Sequence, residues 1–242
     1  MSEVETPSAA NRSPINTSRS VIIVAGGVGQ RMGASIPKQF LPLAGRPLLM
    51  HTITQFVRYD ATLFIVVALP AAHIDRWQRL CDEYRFATPH RIVAGGDSRA
   101  ASVRNALSRL PDTDFIAVHD GVRPLTPVDV IARCFATAAR YGSAVPVVPV
   151  TDSLRKQTAD DSYDIPRDGI VTVQTPQVFR ADRLRDAYAR TADNTAAFTD
   201  DASVVQTAGY DITLTEGSRE NIKITTPADL PVADALLYLR NR

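Results

Sequence analysis

Two cations, Arg31 and Lys38, share a short glycine-rich stretch that reads Ala25-Gly26-Gly27-Val28-Gly29-Gln30-Arg31-Met32-Gly33-Ala34-Ser35-Ile36-Pro37-Lys38. Glycines let a backbone turn sharply and bring its N–H groups against a ligand. Bared amides beside fixed positive charge suit a polyphosphate better than any neutral molecule. Taken alone, the stretch also reads as a plain strand-to-helix turn with two solvated basic residues. A second candidate is Asp120, which closes an apolar run and precedes Gly121-Val122-Arg123-Pro124. An aspartate there serves as a turn former or helix cap. It also suits a magnesium ligand, because Mg²⁺ takes one or two carboxylates together with substrate phosphates. Arg123 either pairs with Asp120 or faces an anionic substrate. Arg167, in a polar segment, and Lys223, in Asn221-Ile222-Lys223-Ile224-Thr225, carry little signal by themselves.

Several familiar motifs fail. No glycine is followed by lysine, so the chain has no P-loop. The dinucleotide fingerprint needs glycine where Met32 stands, and no acidic residue lies between 31 and 59 to hold a ribose. A nicotinamide-dependent oxidoreductase is therefore a remote reading. Gly96-Asp97-Ser98-Arg99-Ala100 approaches a nucleophile elbow, but no histidine follows His119 to complete a triad. Ser98 reads instead as a helix cap. No His-x-x-x-His pair or other histidine cluster supports a zinc site.

These residues need a scaffold. Val21-Ile22-Ile23-Val24 reads as a buried first strand, followed by strand candidates at 62–69, 90–94, 114–119 and 143–150. Helix candidates fall at 46–58, 71–85, 99–109 and 127–141. Continuous apolar strands separated by helices predict a mostly parallel sheet covered on both faces. Such sheets bind ligands at strand carboxyl ends. The glycine loop, Gly95-Gly96-Asp97-Ser98 and Asp120 all fall there. The stretch 151–172 is too polar for a core element and reads as a loop or a protruding hairpin that needs a partner surface. Regular structure resumes at Val171-Thr172-Val173, then helices near 180–192 and 200–208, a strand near 211–216 and a last helix over 227–240, opened by Thr226-Pro227.

Composition bounds the function. A chain of 242 residues with formal charge +1 carries no strong field for nucleic acid or an anionic membrane. No apolar run approaches the roughly 20 residues of a membrane span. Cys81 and Cys134 form no CxxC pair, which fits a reducing, cytoplasmic setting. Residues 1–18 form a polar tail without an apolar signal region and are expected to be disordered, with one domain over 19–242.

In order, the chain carries Ala25-Gly26-Gly27-Val28-Gly29-Gln30-Arg31-Met32, Pro37-Lys38-Gln39, Gly95-Gly96-Asp97-Ser98-Arg99, Val118-His119-Asp120-Gly121-Val122-Arg123-Pro124, Thr175-Pro176-Gln177, Thr199-Asp200-Asp201 and Asn221-Ile222-Lys223-Ile224-Thr225. This set resembles the 2-C-methyl-D-erythritol 4-phosphate cytidylyltransferase family from about residue 20 to 240. The resemblance implies an α/β, Rossmann-like nucleotidyltransferase fold with a β-arm at 151–172, crossing to a second subunit in a homodimer. It implies CTP as co-substrate, Mg²⁺ as cofactor and methylerythritol phosphate as acceptor. By motif match Arg31 and Lys38 are catalytic. Ala25, Gly26, Gly27, Gly29, Gly96, Asp97 and Ser102 bind the nucleotide. Arg123, Ser153, Arg167, Thr175 and Lys223 position the acceptor, and Asp120 holds the metal. Ser153 stands where some members have threonine. Glu220 stands where some have aspartate and is left unassigned. The alternatives are another polyol-phosphate cytidylyltransferase, such as one for ribitol 5-phosphate, and a catalytically silent nucleotide-sensing domain.

Overall fold

The computed structural model describes residues 17–26, 36–191 and 198–240. Strand β1 (Arg19–Val24) is a β-branched run whose Val21, Ile22 and Ile23 are fully buried. A strand buried on both faces belongs at the centre of a sheet, and β1 lies there. From it the chain runs through a tight antiparallel pair, β2 (Pro42–Leu43) and β3 (Arg46–Pro47), into helix α1 (Leu48–Tyr59). It then forms β4 (Phe64–Leu69), α2 (Ile74–Glu83), β5 (Arg91–Ala94), α3 (Arg99–Leu107) and β6 (Phe115–Asp120). Strands β4 and β6 pair in parallel with opposite edges of β1, and β5 pairs in parallel with β4. The strand order therefore reverses between β1 and β6. In doubly wound sheets that reversal opens a crevice at the strand carboxyl ends.

The second half of the sheet holds the antiparallel strands of this mostly parallel sheet. After α4 (Val128–Tyr141) and β7 (Ser143–Pro149), the chain leaves the sheet as the hairpin β8 (Leu154–Gln157) and β9 (Ser162–Ile165). It returns through β10 (Val171–Val173) and β11 (Gln177–Arg180). Strand β10 lies antiparallel to β7, and β11 lies antiparallel to both β6 and β7. Strand β11, which the sequence reading did not include, lies between β6 and β7. Its four residues are too few to announce themselves, although Val178 and Phe179 are fully buried. Helices α5 (Ala181–Arg190) and α6 (Asp201–Thr207), edge strand β12 (Leu214–Glu216) and α7 (Asp229–Arg240) complete the described chain. The result is a mixed sheet, parallel from β5 to β6, with β12 parallel to β7 at the far side.

Helices cover both faces. Val21 and Ile23 point toward a cluster that includes Ile53 of α1, Trp77 of α2 and Phe135 of α4. Ile22 points to the other side, toward Val103 of α3, Leu184 of α5 and Val204 of α6. Alternation along one strand thus feeds two cores. A smaller cluster joins Leu43 and Leu48 to Leu125, Ile224 and Ala233 of α7. Helix α4 ends where Gly142 takes φ +91°, a left-handed turn that favours glycine. Helix α7 begins two residues later than its Thr-Pro start signal predicts. The Asp229 carboxylate accepts from the backbone N–H groups of Thr225 and Thr226, each at 2.7 Å, and ties the preceding turn to the helix.

The polar excursion is a hairpin, as one of its two sequence readings predicted. Among the described residues it packs chiefly on itself, with Thr158 N donating to Asp161 O at 2.7 Å in its turn. Thr17 and Ser18, assigned by composition to the tail, are held by the domain. Ser18 N donates to Asp114 Oδ2 at 2.8 Å, and Asp114 N donates to Ser18 O at 3.0 Å. Residues 1–16 lie outside the described residues. Both cysteines fall on helices, α2 and α4, where burial pushes the Cys134 thiol up to about 12 and Cys81 up to about 11. Among the described residues no helix is long and apolar enough to cross a membrane.

One partly buried pair on the α2 face makes stability depend on pH. Trp77 Nε1 donates to His90 Nε2 at 2.9 Å, so the other ring nitrogen carries the proton toward Thr88 O, 2.8 Å away. Burial lowers the His90 pKa, against the opposing pull of the Thr88 carbonyl. The unfolded chain then takes up a proton before the folded one. Stability is full above the unfolded value of about 6.5 and declines as pH falls through the folded value. Urea unfolding followed by the fluorescence of Trp77, the single tryptophan, should show a lower midpoint at about pH 5.5 than at about pH 7.5. His90→Gln should flatten part of that slope. An unchanged slope would assign it to His51 and His119, which burial shifts the same way.

Candidate active site

At the reversal point the ends of β1 and β6 come together closely. Gly121 N donates to Val24 O at 2.8 Å. A Cβ on Gly121 would lie 2.9 Å from Ala25 Cβ, so only glycine lets the chain leave β6 after Asp120 this near the first loop. A cleft of about 300 Å³ opens above this junction. Ala25 and Gly26 form one wall, and the turn Gly96-Asp97-Ser98 forms another. Lys38 and Gln39 close a third side from a short 3₁₀ turn (Lys38–Phe40), anchored by buried Phe40. Lys223 and Thr225 reach in from the segment before α7.

Local sequence explains the 96–98 turn. Gly95 N donates to Leu69 O at 2.7 Å, extending the β4–β5 pairing by one step. Ser98 then caps α3, its Oγ accepting from Ala101 N at 3.0 Å. Ser102 is almost completely buried. Its Oγ accepts from Gly96 N at 3.1 Å and donates to Ser98 O at 2.9 Å. Ser102 thus shapes the loop against which a ligand would lie, as well as lining the cleft. Ser98 acts as the expected helix cap.

Asp120 forms the floor and is the electrostatic centre. Lys223 Nζ lies 2.8 Å from its Oδ2, Arg123 Nε 3.6 Å from the same oxygen, and Arg99 Nε 3.5 Å from Oδ1. Burial alone would raise the carboxyl. Arg99, Lys223 and Arg123 together outweigh it and hold Asp120 well below the usual carboxylate range. It is ionised at any physiological pH. Arg99 in turn lies 2.7 Å from the fully buried Asp201.

Behind Asp120 a closed polar network fixes three loops. Thr175 Oγ1 accepts from Asp120 N at 3.1 Å and lies 3.0 Å from His119 Nδ1. Asn221, fully buried, donates through Nδ2 to Thr175 O at 2.8 Å. Its Oδ1 accepts from Thr126 Oγ1 at 2.8 Å, and its carbonyl accepts from Arg123 at 2.6 Å. Gln174 braces the last loop, donating to Ser218 O at 2.8 Å. Burial pushes His119 down to about 3, so its ring is neutral. Its nitrogens face Thr175, Thr126 and the Arg123 carbonyl.

The expected site residues that the structure describes sort into three groups. Ala25, Gly26, Lys38, Gly96, Asp97, Ser102, Asp120 and Lys223 line one cleft. Arg123 and Thr175 are buried and meet Asp120 from behind. Ser153 and Arg167 are exposed on the arm and do not line this chain's cleft, and the Arg167 guanidinium donates to Thr151 O. Gly27, Gly29 and Arg31 lie outside the described residues. Glu220, left unassigned, accepts from Arg240 Nε at 2.7 Å. Sequence reasoning gave no role to Arg99, Asp201, His119 or Asn221. The available signal was their place within the spaced motifs, together with a cation at the start of α3.

Among the described residues no three His, Cys, Asp or Glu side chains gather into a metal cage. One carboxylate on the cleft floor still fits Mg²⁺, which takes few protein ligands when phosphate oxygens supply the rest.

A doubly wound sheet with glycine turns, two lysines and Asp120 at its switch point has the build of a nucleotide-binding transferase site. The model of the family IspD: 2-C-methyl-D-erythritol 4-phosphate cytidylyltransferase matches residues 20–239, and the chain belongs to that family. It is 48% identical over 219 residues to the enzyme of that name from Bacteroides thetaiotaomicron, covering 90% of this chain and 99% of the relative. It is 50% identical over 221 residues to that of Porphyromonas gingivalis, covering 90% and 97%. The crystal structure of the Thermus thermophilus enzyme superposes with a TM-score of 0.74 at 34% identity, covering 92% of this chain and 98% of that one.

Asn221→Ala should destabilise the fold by about 2 kcal/mol or more, because it strands buried partners in two other loops. Chemical denaturation showing a loss below about 0.5 kcal/mol would remove Asn221 as the tie between them.

Proposed function

We propose that this chain carries out its family's reaction, the transfer of the cytidylyl group of CTP to 2-C-methyl-D-erythritol 4-phosphate in isoprenoid precursor synthesis. A phosphate oxygen of the acceptor attacks the α-phosphorus of CTP. The bond from that phosphorus to the bridging oxygen breaks, and pyrophosphate leaves with the electron pair. The observation that carries this reading is the switch-point cleft, where Lys223 and Arg99 pair with the ionised Asp120 and which Lys38 also lines.

No proton needs to be removed from the nucleophile. A phosphate monoester has a second pKa of about 6 and is largely dianionic at neutral pH. The histidine beside Asp120 agrees with this, since a ring pushed down to about 3 and hydrogen-bonded within the fold is no general base. The obstacle is instead that two anions must meet. Lys38 offers a compact charge to the phosphates, and Arg31, by motif match, a planar fork. The Ala25-Gly26 and Gly96-Asp97 walls, with Ser102 behind the second, hold the nucleoside. Lys223 at the mouth, aided by Arg123 and Thr175 beneath, orients the acceptor phosphate. Asp120 would hold Mg²⁺ together with phosphate oxygens, and the ion would neutralise charge that builds on them.

Arg167 and Ser153 serve a neighbouring subunit's cleft in a homodimer joined by the 151–172 arm. Their exposure outside this chain's own cleft, and the arm's self-contained hairpin, support that reading. The balanced charge and the unpaired cysteines support a cytoplasmic enzyme.

Lys38→Ala should lower turnover roughly 10²-fold or more in a pyrophosphate-release assay, the scale of losing one transition-state donor. The same assay with ribitol 5-phosphate as acceptor should show little release, and a preference for ribitol 5-phosphate would replace the acceptor proposed. For the arm, subunits carrying Arg167→Ala and subunits carrying Lys38→Ala should recover activity when mixed. Absence of recovery after verified exchange would rule out a shared site.

A further inference from the structure

Arg99 sits where local preference opposes it. It is the first residue of α3, directly after the Ser98 cap. The helix dipole presents partial positive charge there and repels a cation. Burial strips water from the guanidinium as well. Two carboxylates overcome both effects. Burial pulls the Arg99 pKa down, but Asp201 first and Asp120 second raise it further, so the charge is kept. Its Nη2 lies 2.7 Å from Asp201 Oδ2 and its Nε lies 3.5 Å from Asp120 Oδ1.

Asp201 is itself anchored through its Oδ1 and its backbone. Its side chain is fully buried, and Tyr188 Oη donates to Oδ1 at 2.7 Å. Its backbone is pinned at the start of α6. Asp200 caps that helix, accepting from Ser203 N at 3.0 Å. Gln177 on β11 donates to Asp200 Oδ2 at 2.8 Å and accepts from Ala202 N at 2.8 Å. A strand of the central sheet thus fixes the helix start that carries Asp201. Arg99 lines the cleft and Asp201 does not. Buried ion pairs contribute little net stability, so the placement of Arg99 is what this pair supplies.

We propose that Asp201 is a positioning residue for the phosphate-binding cleft. It holds the Arg99 guanidinium so that one edge faces Asp120 Oδ1, while Lys223 and Arg123 hold Oδ2. The Asp120 carboxylate is thereby kept in one rotation, and a fixed cation faces the incoming polyphosphate. Without Asp201, Arg99 turns fully onto Asp120 and withdraws both groups from the ligand. The inference rests on the cytidylyl-transfer reading for what the cleft binds.

Asp201→Asn keeps the shape and the Tyr188 contact and removes the charge. Calorimetric titration with inorganic pyrophosphate and magnesium should show roughly tenfold weaker binding, and kcat with CTP should fall by a similar factor while KM for the acceptor stays near wild type. Because Asp201 acts through Arg99, Arg99→Gln/Asp201→Asn should lose no more than Arg99→Gln alone. Additive losses, or pyrophosphate binding by Asp201→Asn within about twofold of wild type, would overturn the proposal. If Asp201→Asn does not fold, Arg99→Lys decides. It keeps a charge but cannot span both carboxylates, so unchanged pyrophosphate affinity in that folded variant refutes the role. Wild type that binds pyrophosphate yet transfers no cytidylyl group would defeat the reading of the reaction and leave the positioning role standing. Wild type that binds no pyrophosphate would defeat both.

Discussion

An ionised carboxylate almost withdrawn from water is tolerable only in the company of cations, and the architecture around Asp120 answers that requirement. Three separate segments deliver the partners: the start of α3 brings Arg99, the turn after β6 brings Arg123, and the segment before α7 brings Lys223. Their charges hold the Asp120 proton off, so the group is a permanent anion. Two of them, Arg99 and Lys223, also line the cleft, where they would offer a polyphosphate positive charge already in place. Preorganised charge of this kind needs no rearrangement at the moment of reaction.

The sheet makes that gathering possible. Because β4 and β6 flank β1 on opposite sides, the chain diverges at the carboxyl ends of β1 and β6 and leaves a crevice there. The antiparallel strands have their own use. Strand β11 enters beside β6 and carries Thr175 up to the backbone of Asp120, while its Gln177 secures the start of α6. A parallel strand in that position would have run its loop to the opposite end of the sheet. The excursion through β8 and β9 is the route by which the chain reverses direction before re-entering.

The network behind the floor is fully enclosed, and its members lean on one another. His119 stays neutral, Thr175 supports Asp120 from its N–H, and Asn221 ties the turn after β6 to the loops that bring Thr175 and Lys223. A half-satisfied version of such a network costs more than an apolar core, which is why it fixes one arrangement. The chemistry asks for placed charge, not proton transfer, and the buried groups supply rigidity to that end.

Much of this was legible in the residues themselves. The β-branched run of β1, the alternation of strands with amphipathic helices, the Ser98 cap and the polar arm all follow from local preference and periodicity, which depend on near neighbours alone. Lys38, Asp120 and the Gly96 turn were visible because glycine, charge and a strand end fall together. Strand β11 was not visible, since four residues carry no period and its place was set by the direction of the returning chain. Nor could the sequence show that Thr175 and Arg123 lie behind Asp120, or that Arg99 is clamped between Asp120 and Asp201, 21 and 102 positions away along the chain. Contacts between residues so far apart are decided by how sheets and helices pack, because only folding brings their charges near enough to interact.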